Sequence, residues 1–245
     1  VWYSARAELK VRNLGTYLGH LWWLLDPLMF MVVYVFLVVV VFDRGGPGYA
    51  IFVFSALVPW KWTTGCLNDS IASVRARSGL IQHIAIPKVV FPLTAVVVNT
   101  VRFAIGLGVL LVGAGLFGGR LTLATLVWLP LILLIHLAFN AGLALVLADA
   151  GVFLADIRNI MQFGLRLWFY VSPGLYAVGS FPQRYRFLLG LNPVTPLFEG
   201  YRTALLGAPP PSPGTLSWLV VFSVFCMWYG LHRMERNDSR YAKVL

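Results

Sequence analysis

Long apolar runs alternate with short polar breaks along this chain, and the pattern reads as a series of membrane-length helices. Residues 21–42 form the first run, with Asp26-Pro27 near its start, and 43–49 (DRGGPGY) is a turn rich in Gly and Pro. Residues 50–72 form the second run, less pure because it holds Lys61, Asn68 and Asp69. A connector, 73–92, follows, and then runs at 93–117 and 124–148 separated by Gly118-Gly119-Arg120. After a polar junction with Asp149, Asp156 and Arg158 comes a fifth run, 160–178. Residues 179–215 are half apolar, punctuated by prolines and too interrupted to cross, while 216–231 is a short sixth run before the polar tail 232–245. Each long run is near the ~20 residues that a ~30 Å hydrocarbon layer requires. The pattern predicts an all-α polytopic membrane protein with six transmembrane helices. No fixed-period repeat or Ser/Gly-rich linker divides it, so one domain, 1–245, is expected. The basic lead-in 1–20 predicts a helix along the membrane interface. The 179–215 stretch predicts an irregular outer-face re-entrant hairpin enclosed by protein, not lipid.

Composition strengthens this picture. The chain is 59% hydrophobic and 11% charged with mean hydropathy +0.80, whereas a soluble domain is about a quarter charged. Net charge is +10. In a membrane protein that excess follows from the positive-inside bias and anionic lipid, so no nucleic-acid partner is expected. With six spans, eleven Lys and Arg fall on the side of the termini and the 73–92 and 149–159 connectors, and five fall on the other. Both termini are therefore expected in the cytoplasm. The first apolar run is span-length and followed by others, so it does not read as a cleavable signal. Cys66 and Cys226 lie inside apolar runs and read as packing residues.

The chemistry on offer is sparse. There is no G-x-x-x-x-G-K-[ST] phosphate loop, no H-E-x-x-H and no Cys/His cluster with metal spacing, so neither catalytic residues, metal nor cofactor is expected on this chain. An intramembrane enzyme needs an acid, base or nucleophile clustered in its spans, and that signal is missing. Lys61, between Trp60 and Trp62 midway along its run, reads either as a cation facing a polar path or as a lysine snorkelling to water. By depth alone, Arg102 is a partner for Asp69. Arg166 either reaches back to the interface or lines a path. Glu199 and Arg202, three apart, are placed to pair. The aromatics Trp22, Trp23, Trp60, Trp62, Trp168, Phe169, Tyr170 and Tyr176 read as interfacial anchors or, alternatively, as faces that receive a sliding sugar chain. The connector 73–92 carries Arg75, Arg77 and Lys88 with His83 between them. It is the largest internal cytoplasmic surface that a soluble partner could grip.

These residues resemble a family. Leu9-Lys10-Val11-Arg12, Leu18-Gly19, Leu21-Trp22, Leu25 and Pro27-Leu28 look like the opening of the type-2 ABC exporter permeases that move O-antigen-type polysaccharides and teichoic acids. Gly65-Cys66-Leu67-Asn68, Leu80-Ile81, Ile86-Pro87-Lys88 and Phe91-Pro92-Leu93 resemble that family's second span and coupling helix. Asp156-Ile157-Arg158-Asn159-Ile160 and Trp168-Phe169-Tyr170-Val171-Ser172-Pro173 resemble its fifth span. Asn192-Pro193-Val194-Thr195-Pro196-Leu197-Phe198-Glu199-Gly200-Tyr201-Arg202 is similar to its outer-face hairpin. The match runs through nearly the whole chain in order. It departs at Gln82-His83, where two lysines are frequent, and at Ala155, where an arginine is common.

The resemblance implies a homodimeric permease in a bacterial cytoplasmic membrane, paired with two copies of a separate ABC ATPase that carries the ATP and Mg. The cargo would be a polyprenyl-pyrophosphate-linked glycan. Arg75, Arg77, Leu80, Ile81, His83, Pro87 and Lys88 would receive the ATPase, and Arg6, Lys10 and Arg12 would attract the lipid head group. The aromatics would border the glycan path, and Asn192, Pro193, Pro196, Glu199 and Arg202 would belong to an outer gate. Export of a drug or other lipid by a related permease, and a membrane-embedded lipid-modifying enzyme, are the competing readings.

Overall fold

A computed structural model describes residues 1–12, 21–41, 48–83, 86–116, 122–154 and 156–244; the side chains of Lys10, Arg12 and Trp23 lie outside the described set. Among the described residues there is no strand. Helix α1 is Trp2–Arg12, and α2 (Trp22–Val35) continues as a π-helical stretch, Phe36–Val41. Helix α3 is Tyr49–Ser73, and a 3₁₀ turn, Arg75–Arg77, leads into the short α4 (Ser78–His83). Then come α5 (Val90–Leu116), α6 (Leu123–Phe153) and α7 (Ile157–Val171). The remainder is α8 (Arg186–Leu191), α9 (Val194–Leu206), α10 (Pro213–Arg236) and α11 (Asp238–Val244).

Four of these helices, α3, α5, α6 and α10, are long and apolar enough to cross a membrane. Their ends carry ordinary stop and start chemistry. Thr122 and Thr125 form a capping box at the start of α6. Ser212 accepts from the Thr215 amide and Pro213 opens α10, where a missing N–H costs nothing. Helix α9 stops at Gly207, whose φ of 66° suits a residue without a Cβ.

Helix α3 is the central post, packed by α2, α5, α6, α7 and α9. Helix α10 lies outside, against α6. Their backbones approach because Gly142 and Gly230 lack side chains. A Cβ on Gly142 would sit 2.9 Å from the Met227 amide nitrogen and the Ser223 carbonyl, and one on Gly230 would sit 2.6 Å from the Leu145 Cβ. The main core joins α3, α5, α6, α7 and α9. A second, smaller core holds Val74, Ile81, Phe91, Leu145, Val152, Met234 and Tyr241, so the 73–92 connector roofs its own apolar cluster.

Two sequence expectations are refined here. The 179–215 stretch, read as irregular, contains the buried helix α9. Its Pro196 falls in the first turn, where a proline does not break the helix. Helix α6 runs five residues beyond the expected end at 148, because Asp149 finds enough donors to be buried.

Candidate functional site

Helix α3 supplies the clearest site. From Val53 to Ser73 the residues that are not buried are Lys61, Thr64, Gly65, Asn68, Asp69 and Ala72. Their spacing puts them on one helical face, so a membrane-length helix presents a single polar stripe. Three clefts open along it. One, of about 480 Å³, is bordered by Trp22, Lys61, Asn99 and Arg102. A second, of about 610 Å³, lies between α3 and α7 and is lined by Trp60, Lys61, Gln162, Arg166 and Tyr170. A third, of about 440 Å³, reaches Glu8, Arg77 and Arg158 at the connector end. Asn68 borders all three.

Asp69 is held from α5. Asn99 Nδ2 donates to Asp69 Oδ2 at 2.9 Å, and Arg102 Nη1 stands 4.0 Å from the same oxygen. Asn99 reaches it across Gly65, where a Cβ would fall 2.5 Å from the Asn99 Oδ1. The pairing of Asp69 with Arg102 expected from depth is thus present, with Asn99 added. The other carboxylates an embedded enzyme would use lie elsewhere: Asp156 is exposed at the start of α7, and Glu199 sits in α9.

The aromatic residues divide by surroundings. Trp60 is 6% exposed and meets Trp168, Phe169 and Phe198 edge-on or tilted, joining α3, α7 and α9. Trp62 stacks on Phe103 at 4.2 Å and donates its Nε1–H to Thr100. Trp168 donates its Nε1–H to Asn192, and the Tyr176 hydroxyl donates to the Val171 carbonyl. Trp22 and Tyr170 are exposed and stand at cleft margins. Phe169 is buried but also lines the α3–α7 cleft. Packing therefore accounts for Trp168, while Trp22, Trp60, Trp62, Phe169 and Tyr170 border open space.

At the connector the cations are engaged within the chain. Arg75 donates to the Val152 carbonyl at 2.8 Å. Arg77 pairs with Glu8 of α1 at 2.6 Å and lies over the Phe91 ring. Lys88 donates to Asp238 of α11 at 2.9 Å. Ile81 is buried, whereas Leu80, His83 and Pro87 are exposed. Arg6 is exposed on α1.

In the 179–215 region, Asn192 Nδ2 donates to the Ser172 hydroxyl, and its Oδ1 accepts from Trp168 and the Val194 amide. Pro193 precedes α9, and Pro196 is buried. Arg202 and Glu199 attract each other electrostatically without a direct hydrogen bond between them among the described contacts. Arg202 Nη2 donates to the Gly174 carbonyl at 2.8 Å and its guanidinium lies 3.6 Å from the Phe52 ring centroid. A buried chain of Thr63, His136 and Tyr201 then fastens α9 to α3 and α6, with contacts of 2.7 and 3.0 Å.

The chain is 30% identical over 238 residues to the "O-antigen export system permease protein RfbA" of Myxococcus xanthus, covering 96% of this chain and 91% of that protein. The chain belongs to the O-antigen export permeases. A protein of the same name from Klebsiella pneumoniae is 26% identical over 243 residues, covering 97% of this chain and 92% of that one. The "Polysialic acid transport protein KpsM" of Escherichia coli is 19% identical over 226 residues, covering 91% and 88%. No family model matches. As a type-2 ABC permease, the chain is a transport subunit and not an enzyme.

Two features of this permease escaped the sequence reading. Gln162 joins the α3–α7 cleft, and the spacing Arg158, Gln162, Arg166 along amphipathic α7 was the available signal. The buried Asp149, which accepts from Arg233, Asn237 and Tyr241, had none, because its partners lie 84 to 92 residues away.

Proposed function

We infer that this chain is the membrane-spanning subunit of an ATP-driven exporter that moves a polyprenyl-linked polysaccharide across the bacterial cytoplasmic membrane. The observation that carries the reading is the polar stripe of α3, open to three adjoining clefts inside a largely apolar bundle. Polar groups at membrane depth are costly and persist where they line a polar path. The relatives named for O-antigen and polysialic acid export indicate the cargo class.

In this reading residues 1–245 form one permease domain with six spans. The four long helices are joined by α2 with its π-helical extension and by α7 with the turn that follows. Both termini are cytoplasmic, and α1 lies along the interface, with Arg6, Lys10 and Arg12 near the lipid head group. Two copies meet through α2 with its π-helical extension and through α7, whose apolar residues Met29, Val32, Phe36, Phe163 and Leu167 are exposed in the single chain. The 179–215 hairpin guards the outer mouth. Helix α9 is its fixed part and the exposed α8 side its moving part, which fits the burial of the one and the exposure of the other.

Two copies of an ABC ATPase, carrying ATP and Mg, press on the 73–92 connector. Because Arg75, Arg77 and Lys88 already serve this chain, the docking contact falls to Leu80, His83 and Pro87. The internal ion pairs instead pass motion to α1 and α11. Co-purification with an ABC ATPase subunit tests this. The expected result is a stable two-plus-two complex whose ATP hydrolysis responds to the permease, and at least about tenfold weaker assembly for Leu80→Asp. A permease that stays alone under every nucleotide condition contradicts it.

A further inference from the structure

Helices α6 and α10 together present one continuous outward face. On α6 the exposed apolar residues Leu123, Leu126, Val127, Leu131, Leu134 and Leu137 recur every three or four positions, so they form a single stripe. The stripe ends there, and Phe139 and Asn140 are buried. Helix α10 then takes over. Its Ser223, Cys226 and Gly230 turn towards α6, while Val221, Val224, Phe225, Trp228 and Tyr229 are exposed. In water such a face would be a large uncovered apolar patch.

The length of this face can be read from the contacts between the two helices. They run the same way, because Gly142 meets Ser223 to Met227 and Gly230 meets Leu145 and Val146. The level of Trp228 therefore falls between Gly142 and Leu145 of α6. From Leu123 to that level is about 20 residues, or ~30 Å of helix. The hydrocarbon layer of a bilayer is also ~30 Å thick.

Both ends of the band change character. At one end Thr122 caps α6 immediately before Leu123. At the other, Phe225 stacks on Tyr229 and Trp228 on His232, each at 5.9 Å, and the next turn exposes Glu235 and Arg236. Aliphatic, aromatic and then ionisable side chains follow the order of hydrocarbon, interface and head groups. Past this level α6 continues for roughly another 15 Å to Phe153. That extension carries Asp149 and its partners Arg233, Asn237 and Tyr241.

We propose that this face is the chain's seat in the bilayer, with lipid covering it directly from Leu123 to Trp228 and Tyr229. The last turn of α10, the Asp149 cluster, α11 and the 73–92 connector then stand clear of the hydrocarbon. The inference goes beyond the export reading, since it depends on neither cargo nor motor.

Nitroxide labels are placed one at a time at positions 134, 221, 225, 228, 232 and 236 of the full chain in phospholipid vesicles. Collisions are measured with oxygen, which concentrates in hydrocarbon, and with a water-soluble nickel chelate, which is excluded from it. The oxygen-to-nickel ratio is expected to be high at 134, 221 and 225 and to fall across 228 and 232. At 236 it should be at least about tenfold lower than at 221. A second measurement needs no label. Trp228→Phe should remove tryptophan quenching by lipids brominated near the head group and change little with lipids brominated at the chain end. Nickel access at 221 or 225, a ratio still high at 236, or an equal loss of quenching at both depths overturns the proposal. So does exclusion of both reagents from 221 and 225, which would mean that a second copy or another protein covers the face. None of these results bears on ATP-driven movement of a glycan, and failure of that movement leaves this seat unchanged.

Discussion

At position 149 an aspartate is 3% exposed near the end of an apolar helix, which demands compensation. Arg233 Nε and Nη2 reach one of its oxygens at 3.1 and 3.0 Å, and Asn237 and the Tyr241 hydroxyl reach the other at 2.7 Å each. Asp149→Ala strands two buried donors, and a loss on the order of 3 kcal/mol is expected in thermal or denaturant unfolding of the purified permease. Tyr241→Phe should cost about 1–2 kcal/mol. Burial, and then the adjacent Asp149 carboxylate, push the Tyr241 hydroxyl above its ordinary 10.0, so the folded chain keeps that proton where the unfolded chain releases it. Its contribution is therefore complete below pH 10 and declines as pH rises further. The Tyr241→Phe penalty should accordingly be the same at pH 6 and pH 9. A penalty that shrinks between those values would contradict the assignment. Residue pairing was legible only where helical depth sufficed. Asp69 and Arg102 could be matched because both lie in adjoining spans. For Arg202 helical spacing pointed to Glu199, which does attract it, but not to the turn carbonyl of Gly174 and the Phe52 ring that the buried guanidinium also meets.

Among the elements, the long helices were the most legible part. A run of twenty or more apolar residues has few alternatives in a bilayer, and the expected 50–72 and 93–117 lie within three residues of α3 and α5 at each end. Helix α9 was less visible, because short runs broken by Pro193, Pro196 and the 209–211 prolines obscure its period. The face of α3 that would carry function was present in the sequence as Lys61, Asn68 and Asp69. Its restriction to one stripe, however, depends on neighbours that bury everything else. Helix packing depends equally on positions with no side chain. Gly142→Val or Gly230→Val would force apart the α6–α10 contact and is expected to cost about 1–3 kcal/mol. Gly179→Val, in the 179–215 region with nothing within 4 Å of its Cβ position, should change stability little. A thermal-shift series on the three variants checks this, and equal losses at all three would refute the packing argument.

Taken whole, the molecule has three levels. One level joins α1, the connector, the end of α6 and α11 through Glu8–Arg77, Lys88–Asp238 and the Asp149 cluster. A middle level is the bundle around α3, with its polar stripe and clefts. A third level is the 179–215 region, fixed by Asn192, Arg202 and Tyr201. Force applied to the connector has a bonded route into α1, α6 and α11 at once, as a permease driven by a separate motor requires. The sequence made the need for that motor legible, since it contains no phosphate loop. It did not reveal that the connector's cations are occupied inside the chain, because their partners Glu8, Val152 and Asp238 are remote in sequence.

The measurement closest to the central claim is transport itself. The permease and an ABC ATPase are reconstituted into liposomes with a polyprenyl-linked glycan in the outer leaflet on the ATPase side, and the glycan's susceptibility to an external glycosidase is followed. Loss of susceptibility that requires ATP, the ATPase and the permease together is the predicted result. Glycan that stays fully susceptible with all three components assembled and ATP being hydrolysed would contradict the account.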